Sequence, residues 1–305
     1  MTAEFSVNED CPPIRADIYL TERIGVMSRS QLKSRFKEIH INNAISKLSK
    51  IVRPGDIIVL IYEEGINSNI LPENIPLKII FENDDCAVID KPRGMVVHPA
   101  YGHHNGTLAQ GLAFYLGDRS SMEKSFRAGI VHRLDKDTSG IIITAKNAES
   151  HEFLAKQFKL KTCQKTYLAI AKGLVYPKKG VINTFLKRDE KNRKKFTVDS
   201  GKGKKAVTDY EVIRCFKKHS LLKLKPRTGR THQLRVHMKS IGHPILGDPI
   251  YSRSSPDDGG APLMLHAYKL SIKLPGMTEL SVFRANLPED FKSRLLRLAK
   301  DSSER

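Results

Sequence analysis

The sequence predicts an α+β protein in which a small α/β module precedes a much larger, strand-rich domain. Three observations lead there. Short apolar and β-branched runs recur along the later part of the chain, bounded by polar turn residues, without the regular strand-helix alternation of a doubly wound sheet. Helical periodicity is sparse and is clearest at 148–160 and 231–240. Residues 64–76, rich in Asn and Pro and only weakly periodic, read as a linker joining the two parts. A length of 305 residues suits one small and one large domain, and no repeat of solenoid period is visible.

The small module is expected over 15–63, behind an N-terminal tail at 1–14. Ser28-Arg29-Ser30-Gln31 fits a capping box, after which Leu32, Phe36 and Ile39 recur at helical spacing. The outward side of that helix would carry Arg29, Lys33, Arg35 and Lys37. Ile39-His40-Ile41 then reads as a strand leading into an Asn42-Asn43 turn. Arg53-Pro54-Gly55-Asp56 has the Pro and Gly placement of a type II turn before a buried strand at Ile57–Ile61. The large domain is expected over 77–290, with 291–305 as a basic C-terminal tail. Its strands are read at 77–81, 86–90, 141–145, 166–170, 208–213, 220–224 and 270–274, and its helices at Ala148–Leu160 and Thr231–Ser240. Residues 187–205 form a basic stretch with Gly and Ser, expected as a surface hairpin or loop that would supply phosphate contacts to a nucleic acid.

Charge narrows the partner. With 52 Lys and Arg against 33 Asp and Glu, the chain carries +19 and has a pI near 9.7, which favours a polyanion through counterion release. Nucleic acid is the leading candidate. An anionic membrane surface competes, but it normally needs a basic amphipathic helix, and no segment clearly shows one. No apolar run approaches the ~20 residues of a membrane span, and Met1–Asp10 lacks the basic and apolar regions of a secretory signal, so a cytoplasmic location is expected. Cys11, Cys86, Cys163 and Cys215 lie far apart without a C-x-x-C pair and read as reduced thiols. His98, His103 and His104 lack accompanying Cys or carboxylate ligands, so no metal is expected. With no Walker loop and no G-x-G-x-x-G after a strand, no cofactor is expected either.

The sharpest feature is His132-Arg133-Leu134-Asp135-Lys136-Asp137-Thr138-Ser139-Gly140, followed by an apolar strand. By residue type alone this is a polar loop tucking a carboxylate beside a sheet end, a description that fits a structural Asp as well as a catalytic one. The string resembles the H-R-L-D-x-x-T-S-G motif of the RluA/RluD family of pseudouridine synthases. The likeness continues in Asp90-Lys91-Pro92 with Gly94, in Lys165-Thr166-Tyr167, and in Arg227-Thr228-Gly229-Arg230-Thr231-His232-Gln233-Leu234-Arg235. It extends through Gly242-His243-Pro244-Ile245, Gly247-Asp248 and Leu263–Ala267, and so spans about 77–287. The small module resembles the S4 RNA-binding domain, with Arg29, Lys33, Arg35 and Lys37 as its RNA-facing residues. The resemblance implies a pseudouridine synthase fold, with a central, mostly antiparallel mixed sheet flanked by helices and loops.

It also implies an isomerase that breaks the bond from ribose C1′ to uracil N1, turns the base, joins C1′ to C5 and releases the C5 proton. Neither metal nor cofactor enters. Asp135 would be the catalytic carboxylate; it must carry its charge, which a water-excluding site opposes and a neighbouring cation offsets. Arg235 is taken as that cation, with Arg230 the alternative. Tyr167 would stack on the uracil, its phenolic oxygen being a candidate acceptor for the C5 proton. Arg133 would fill the gap left by the extracted nucleotide or hold it, and His132, Thr138, Arg230 and Leu234 complete the substrate-binding set. His132 and His232 are read as loop organisers rather than proton carriers. Structured RNA, foremost large-subunit rRNA, is the expected partner of a monomer. A tRNA enzyme of the same family, a binding-only S4-type protein and a glycosidic hydrolase are the competing readings.

Overall fold

A computed structural model describes all residues except 28, 64–69, 101, 118–126, 254, 256–257 and 304–305, and omits the side chains of 30, 31, 34 and 127. The chain divides into two compact units, Met1–Asn69 and Ile70–Arg305.

The first unit contains strands β1 (Thr2–Ser6) and β2 (Ile14–Arg15), the short helix α1 (Ala16–Ile18) running into a π-helical turn at Tyr19–Arg23, and helix α2 (Arg29–Arg35). Strands β3 (Phe36–Ile41), β4 (Ala44–Ile45), β5 (Ile51–Val52) and β6 (Ile57–Tyr62) follow. β1, β6, β3 and β4 form one sheet in that order, and β2 pairs with β5. Alternation along β6 sends Ile58 and Leu60 into a core with Leu20, Leu32 and Ile39. Asn42 and Asn43 both adopt positive φ, as the tight β3–β4 connection requires, and Gly55 (φ +82°) closes the turn before β6. Two expectations need correction. Residues 1–14 are not a tail, since β1 pairs antiparallel with β6 from Thr2↔Ile61 to Ser6↔Ile57 and Val7 is buried. Lys37 does not lie on the helix, because Phe36–Ile41 pairs with β6 and its β-branched, aromatic run overrides the helical spacing. The expected capping box rests on Ser28, outside the described residues.

The second unit opens with β7 (Ile79–Glu82), β8 (Cys86–Lys91) and α3 (Leu108–Leu116), then β9 (Ser139–Ala145), α4 (Ala148–Leu160), β10 (Gln164–Lys172), β11 (Lys179–Arg188) and β12 (Phe196–Asp199). It continues through β13 (Lys204–Cys215), β14 (His219–Pro226), α5 (Gln233–Ser240), β15 (Leu265–Lys273), β16 (Leu280–Arg284) and α6 (Glu289–Ser303). All but one of the strand pairs in this ten-stranded sheet are antiparallel, in the order β12-β11-β13-β14-β10-β15-β9-β8-β7, with β16 on the remaining part of β15. The parallel pair β9–β15 joins the two halves. This is the expected α+β architecture. Residues 70–76, expected as linker, pack on α3 instead: the Glu73 amide donates to Gln110 O (3.2 Å) and the Glu73 carboxylate accepts from the Gly106 amide (2.7 Å). Nor is the C-terminal segment a tail. α6 buries Phe291 and Leu298 in the core around β10, β14 and α5. Apolar residues at Phe291, Leu295 and Leu298 carry that helical spacing in the sequence, interleaved with Lys292, Arg294, Arg297 and Lys300.

Candidate active site

Sheet register gathers sequence-distant segments into one row. Tyr167 of β10 lies opposite Ala267 of β15, and Ala267 opposite Gly140 of β9. Gly140 takes φ +109°, and a Cβ there would collide with the Ala267 carbonyl, so only glycine lets β9 approach β15 this closely. The loop immediately before β9 carries Asp135, which therefore emerges where the two sheet halves meet.

That loop is held from below by the end of β8. Lys91, fully buried, donates from Nζ to the carbonyls of Pro92 (2.8 Å), Met95 (2.9 Å) and Lys136 (3.1 Å). The Gly94 amide also donates to Lys136 O (2.9 Å), and Arg93 Nε to Asp137 O (3.3 Å). Arg93 further reaches Leu263 O and the Asp290 carboxylate of α6. Burial pulls the Lys91 ammonium down to about 7, against the charges of Asp137 and Asp135 that favour the cation. Within the loop the Thr138 amide donates to Asp135 O (3.1 Å), a one-turn closure that fixes the direction of the backbone.

Opposite Asp135 stands Arg235 of α5. Its Nε and Nη2 donate to Asp248 Oδ2 and Oδ1 at 2.7 and 2.8 Å, a bidentate fork, while Nη1 lies 3.5 Å from Asp135 Oδ2. The side chain of Arg235 is 3% exposed and that of Asp248 0%, whereas Asp135 keeps 20%, enough to meet a ligand from the cleft. Burial opposes the charge on Asp248, but the Arg235 fork and the Tyr251 and Ile250 amides outweigh it and hold the carboxylate below its ordinary range. Asp248 thus orients the guanidinium and leaves one free edge toward Asp135. Of the two arginines considered from sequence, Arg235 lies against the carboxylate; Arg230 is exposed and donates to Lys205 O (3.1 Å).

Asp135, Tyr167, Arg235 and Leu234 open onto one cleft of about 1350 Å³. Small-molecule sites are typically about 300–1000 Å³, so this volume suits an extended ligand. Its walls carry Arg133, Lys165, Lys223, Lys225, Arg227 and Arg230. Asp209, the other carboxylate on the wall, is held by Arg227 in a bidentate pair (2.5 and 2.7 Å).

Known proteins resemble this chain along most of its length. Residues 85–240 match the RNA pseudouridylate synthase family. The chain is 43% identical to the ribosomal large subunit pseudouridine synthase D of Borreliella burgdorferi, over 94% of this chain and 90% of that one. It is 36% identical to the protein of that name from Nitrosomonas europaea, over 96% and 87%. Among solved structures, human RNA pseudouridylate synthase domain containing 4 superposes with a TM-score of 0.59 at 27% identity, covering 73% of this chain and 93% of that one. The chain belongs to the RNA pseudouridylate synthase family.

As a pseudouridine synthase it shows where each sequence-derived residue sits. Tyr167 is half-buried, packs against the core and also lines the cleft. Burial, reinforced by the Asp135 charge, pushes its phenol well above the ordinary range. The side chain therefore offers a flat face and a hydroxyl rather than a phenolate. His132 accepts the Ile143 amide at Nε2 (3.1 Å) and stacks on Phe158 (4.3 Å between centroids), and burial holds it neutral, at about 3. These contacts tie the loop to β9 and α4. Arg133 is exposed on the cleft wall, Thr138 is buried beneath Asp135, and Leu234 is buried between cleft and core. In the first unit Arg29 pairs with Asp17 (3.0 Å) and Lys37 with Glu63 (2.6 Å), while Lys33 is exposed and Arg35 half-buried.

Sequence reasoning assigned no role to Asp248 or Lys91, although both fall in segments that resemble family motifs. A buried Lys beside Pro-x-Gly and an Asp after Gly look like ordinary turn residues until their partners, 45 and 13 residues away, are known.

Proposed function

We propose that this synthase acts on large-subunit ribosomal RNA, with Asp135 as the catalytic carboxylate. One observation carries the reading: Asp135 is partly open to a basic, RNA-sized cleft and faces a guanidinium already fixed by Asp248. An arginine anchored in this way keeps its charge close to the carboxylate before substrate arrives. Attack at C6, attack at C1′ and removal of a ribose proton each need one charged carboxylate at this place, and the chemistry is balanced by isomerisation alone. Tyr167 supplies the face on which the extracted uracil stacks, with its phenol protonated, so the C5 proton is not assigned to a phenolate. Arg133 holds the nucleotide or its vacated place, and the exposed wall cations take phosphates. The rRNA assignment is supported by the large-subunit synthases that resemble this chain along most of its length, and a cytoplasmic, monomeric enzyme is part of the same proposal.

The first unit is proposed as an S4-like RNA-positioning module, presenting Arg29, Lys33, Arg35 and Lys37. Removing Met1–Tyr62 is expected to weaken rRNA binding and leave the second unit folded. Unchanged activity at low enzyme concentration would argue against that role.

The deciding experiment supplies unmodified rRNA tritiated at uridine C5 to the protein and to Asp135→Asn. The wild type is expected to release tritium and form pseudouridine, and the variant to lose about three orders of magnitude or more in rate. Release from tRNA alone would move the substrate, free uracil would indicate a hydrolase, and RNA binding without release would indicate a binding protein.

A further inference from the structure

The basic hairpin and the Asp135–Arg235 pair are joined by a single aromatic side chain. Tyr251 is 5% exposed and lies beneath the Arg235 guanidinium, 5.2 Å from ring centroid to Cζ. Its hydroxyl accepts the Phe196 amide (2.8 Å) and meets His232 Nδ1 at 2.9 Å. Burial lowers the pKa of His232, so the neutral ring can accept a hydrogen bond from the phenolic O–H there. The ring of Phe196 also meets His232 edge-on, at 5.8 Å. Phe196 opens β12, whose hairpin with β11 and β13 exposes Arg188, Lys191, Arg193, Lys194, Lys202 and Lys204. These cations are complementary to phosphate, and β12 is the outermost strand of the sheet.

We propose that Tyr251 is a positioning residue that transmits engagement of RNA phosphates on this hairpin to the Asp135–Arg235 pair. The inference rests on the RNA reading of the cleft given above. At 3.5 Å the Arg235–Asp135 contact is longer than the roughly 2.7–2.9 Å of a charge-assisted hydrogen bond, so a small movement of the guanidinium strengthens it. Phosphates gripping the hairpin fix β12, β12 fixes the Tyr251 hydroxyl through the Phe196 amide, and the ring then sets the plane of the arginine. RNA that enters the cleft without reaching the hairpin meets a less closely set pair, which makes correct docking part of substrate selection.

The test is a double-mutant cycle in the full-length chain, with an unmodified large-subunit rRNA transcript tritiated at uridine C5 and read by single-turnover tritium release. Tyr251→Phe keeps the ring and removes the hydroxyl. A hairpin variant carries Lys191→Ala, Lys194→Ala and Lys202→Ala. At saturating enzyme each is expected to slow the reaction about tenfold, and the combined variant also by about tenfold, because both interrupt one link. Tyr251→Phe should leave RNA affinity and its salt dependence as in the wild type, whereas the hairpin variant should flatten the salt slope. Multiplication of the two effects to about a hundredfold, or no effect of Tyr251→Phe, would overturn the inference. Silence of the wild type would instead remove the rRNA reading on which it rests.

Discussion

Two sets of arginines face the same cleft and live under opposite physical rules. Arg235 is buried, forked onto a buried carboxylate and pinned over an aromatic ring; Arg133 and Arg230, with Lys225 beside them, are exposed on the rim. A buried charge must be compensated within the protein, so it is anchored near its working geometry before substrate arrives, with only a small adjustment left to docking, and it can serve chemistry. An exposed charge keeps its hydration and its rotamers until a phosphate replaces water, so it serves affinity and steering. Chemical similarity of side chains therefore says little about role, and burial with its partners says most.

Breaking the buried set should cost the most. Asp248→Asn keeps the shape but leaves Arg235 with a neutral partner in a dry site. Unfolding stability should fall by about 3–5 kcal/mol, the usual cost of removing one member of a buried pair, as measured by denaturant titration. The tritium-release rate should fall by about a hundredfold or more as the guanidinium loses its orientation. An Asp248→Asn protein with wild-type stability and rate would dissolve the distinction drawn above.

A smaller effect tests the buried polar support under Arg235. His237, fully buried on the same helix, uses both ring nitrogens, Nδ1 to Thr208 Oγ1 (2.9 Å) and Nε2 to Thr184 Oγ1 (3.0 Å). Burial lowers it to about 4, below its unfolded value near 6.5. The unfolded chain then binds the extra proton first, so this contribution is complete above pH 6.5 and is lost as pH falls toward 4. Stability should decline over that window by no more than about 3 kcal/mol from this group, and His237→Gln should flatten the decline. An unchanged pH profile in the variant would show that other groups set it.

The rim should respond least. Lys225→Ala is expected to weaken RNA binding only a few-fold, leave the rate at saturation intact and reduce the slope of log affinity against log salt by about one. A fall in the saturated rate instead would place Lys225 with the buried set.

Local pattern carried much of the fold. The helix at Ala148–Leu160 is legible from the helical spacing of its apolar residues, and the strand at Cys86–Lys91 from a short continuous apolar run after a polar turn. The turn at Asn42-Asn43 and the one ending at Gly55 are legible from the φ values their residues tolerate. β1 escaped notice because the alternation of Thr-Ala-Glu-Phe-Ser spans only five residues with one large apolar side chain, and it becomes a strand only when β6 offers an edge. α6 escaped because its many charges hide a narrow apolar stripe. At the site, Asp135, Tyr167 and Arg235 stand out through the likeness of their motifs to one family, while Asp248, Lys91 and Tyr251 do not, since their importance lies in what they touch.

By itself the sequence determined the α+β character, the strongly basic charge and the loop that bears Asp135, because composition, periodicity and a long contiguous motif are local properties. Tertiary structure alone decided what holds Arg235 against Asp135 and how the outer hairpin is tied to it. Those choices depend on register across β9, β15 and β10 and on burial around α5, where residues far apart in the chain meet and each charge takes its role from the partner it finds.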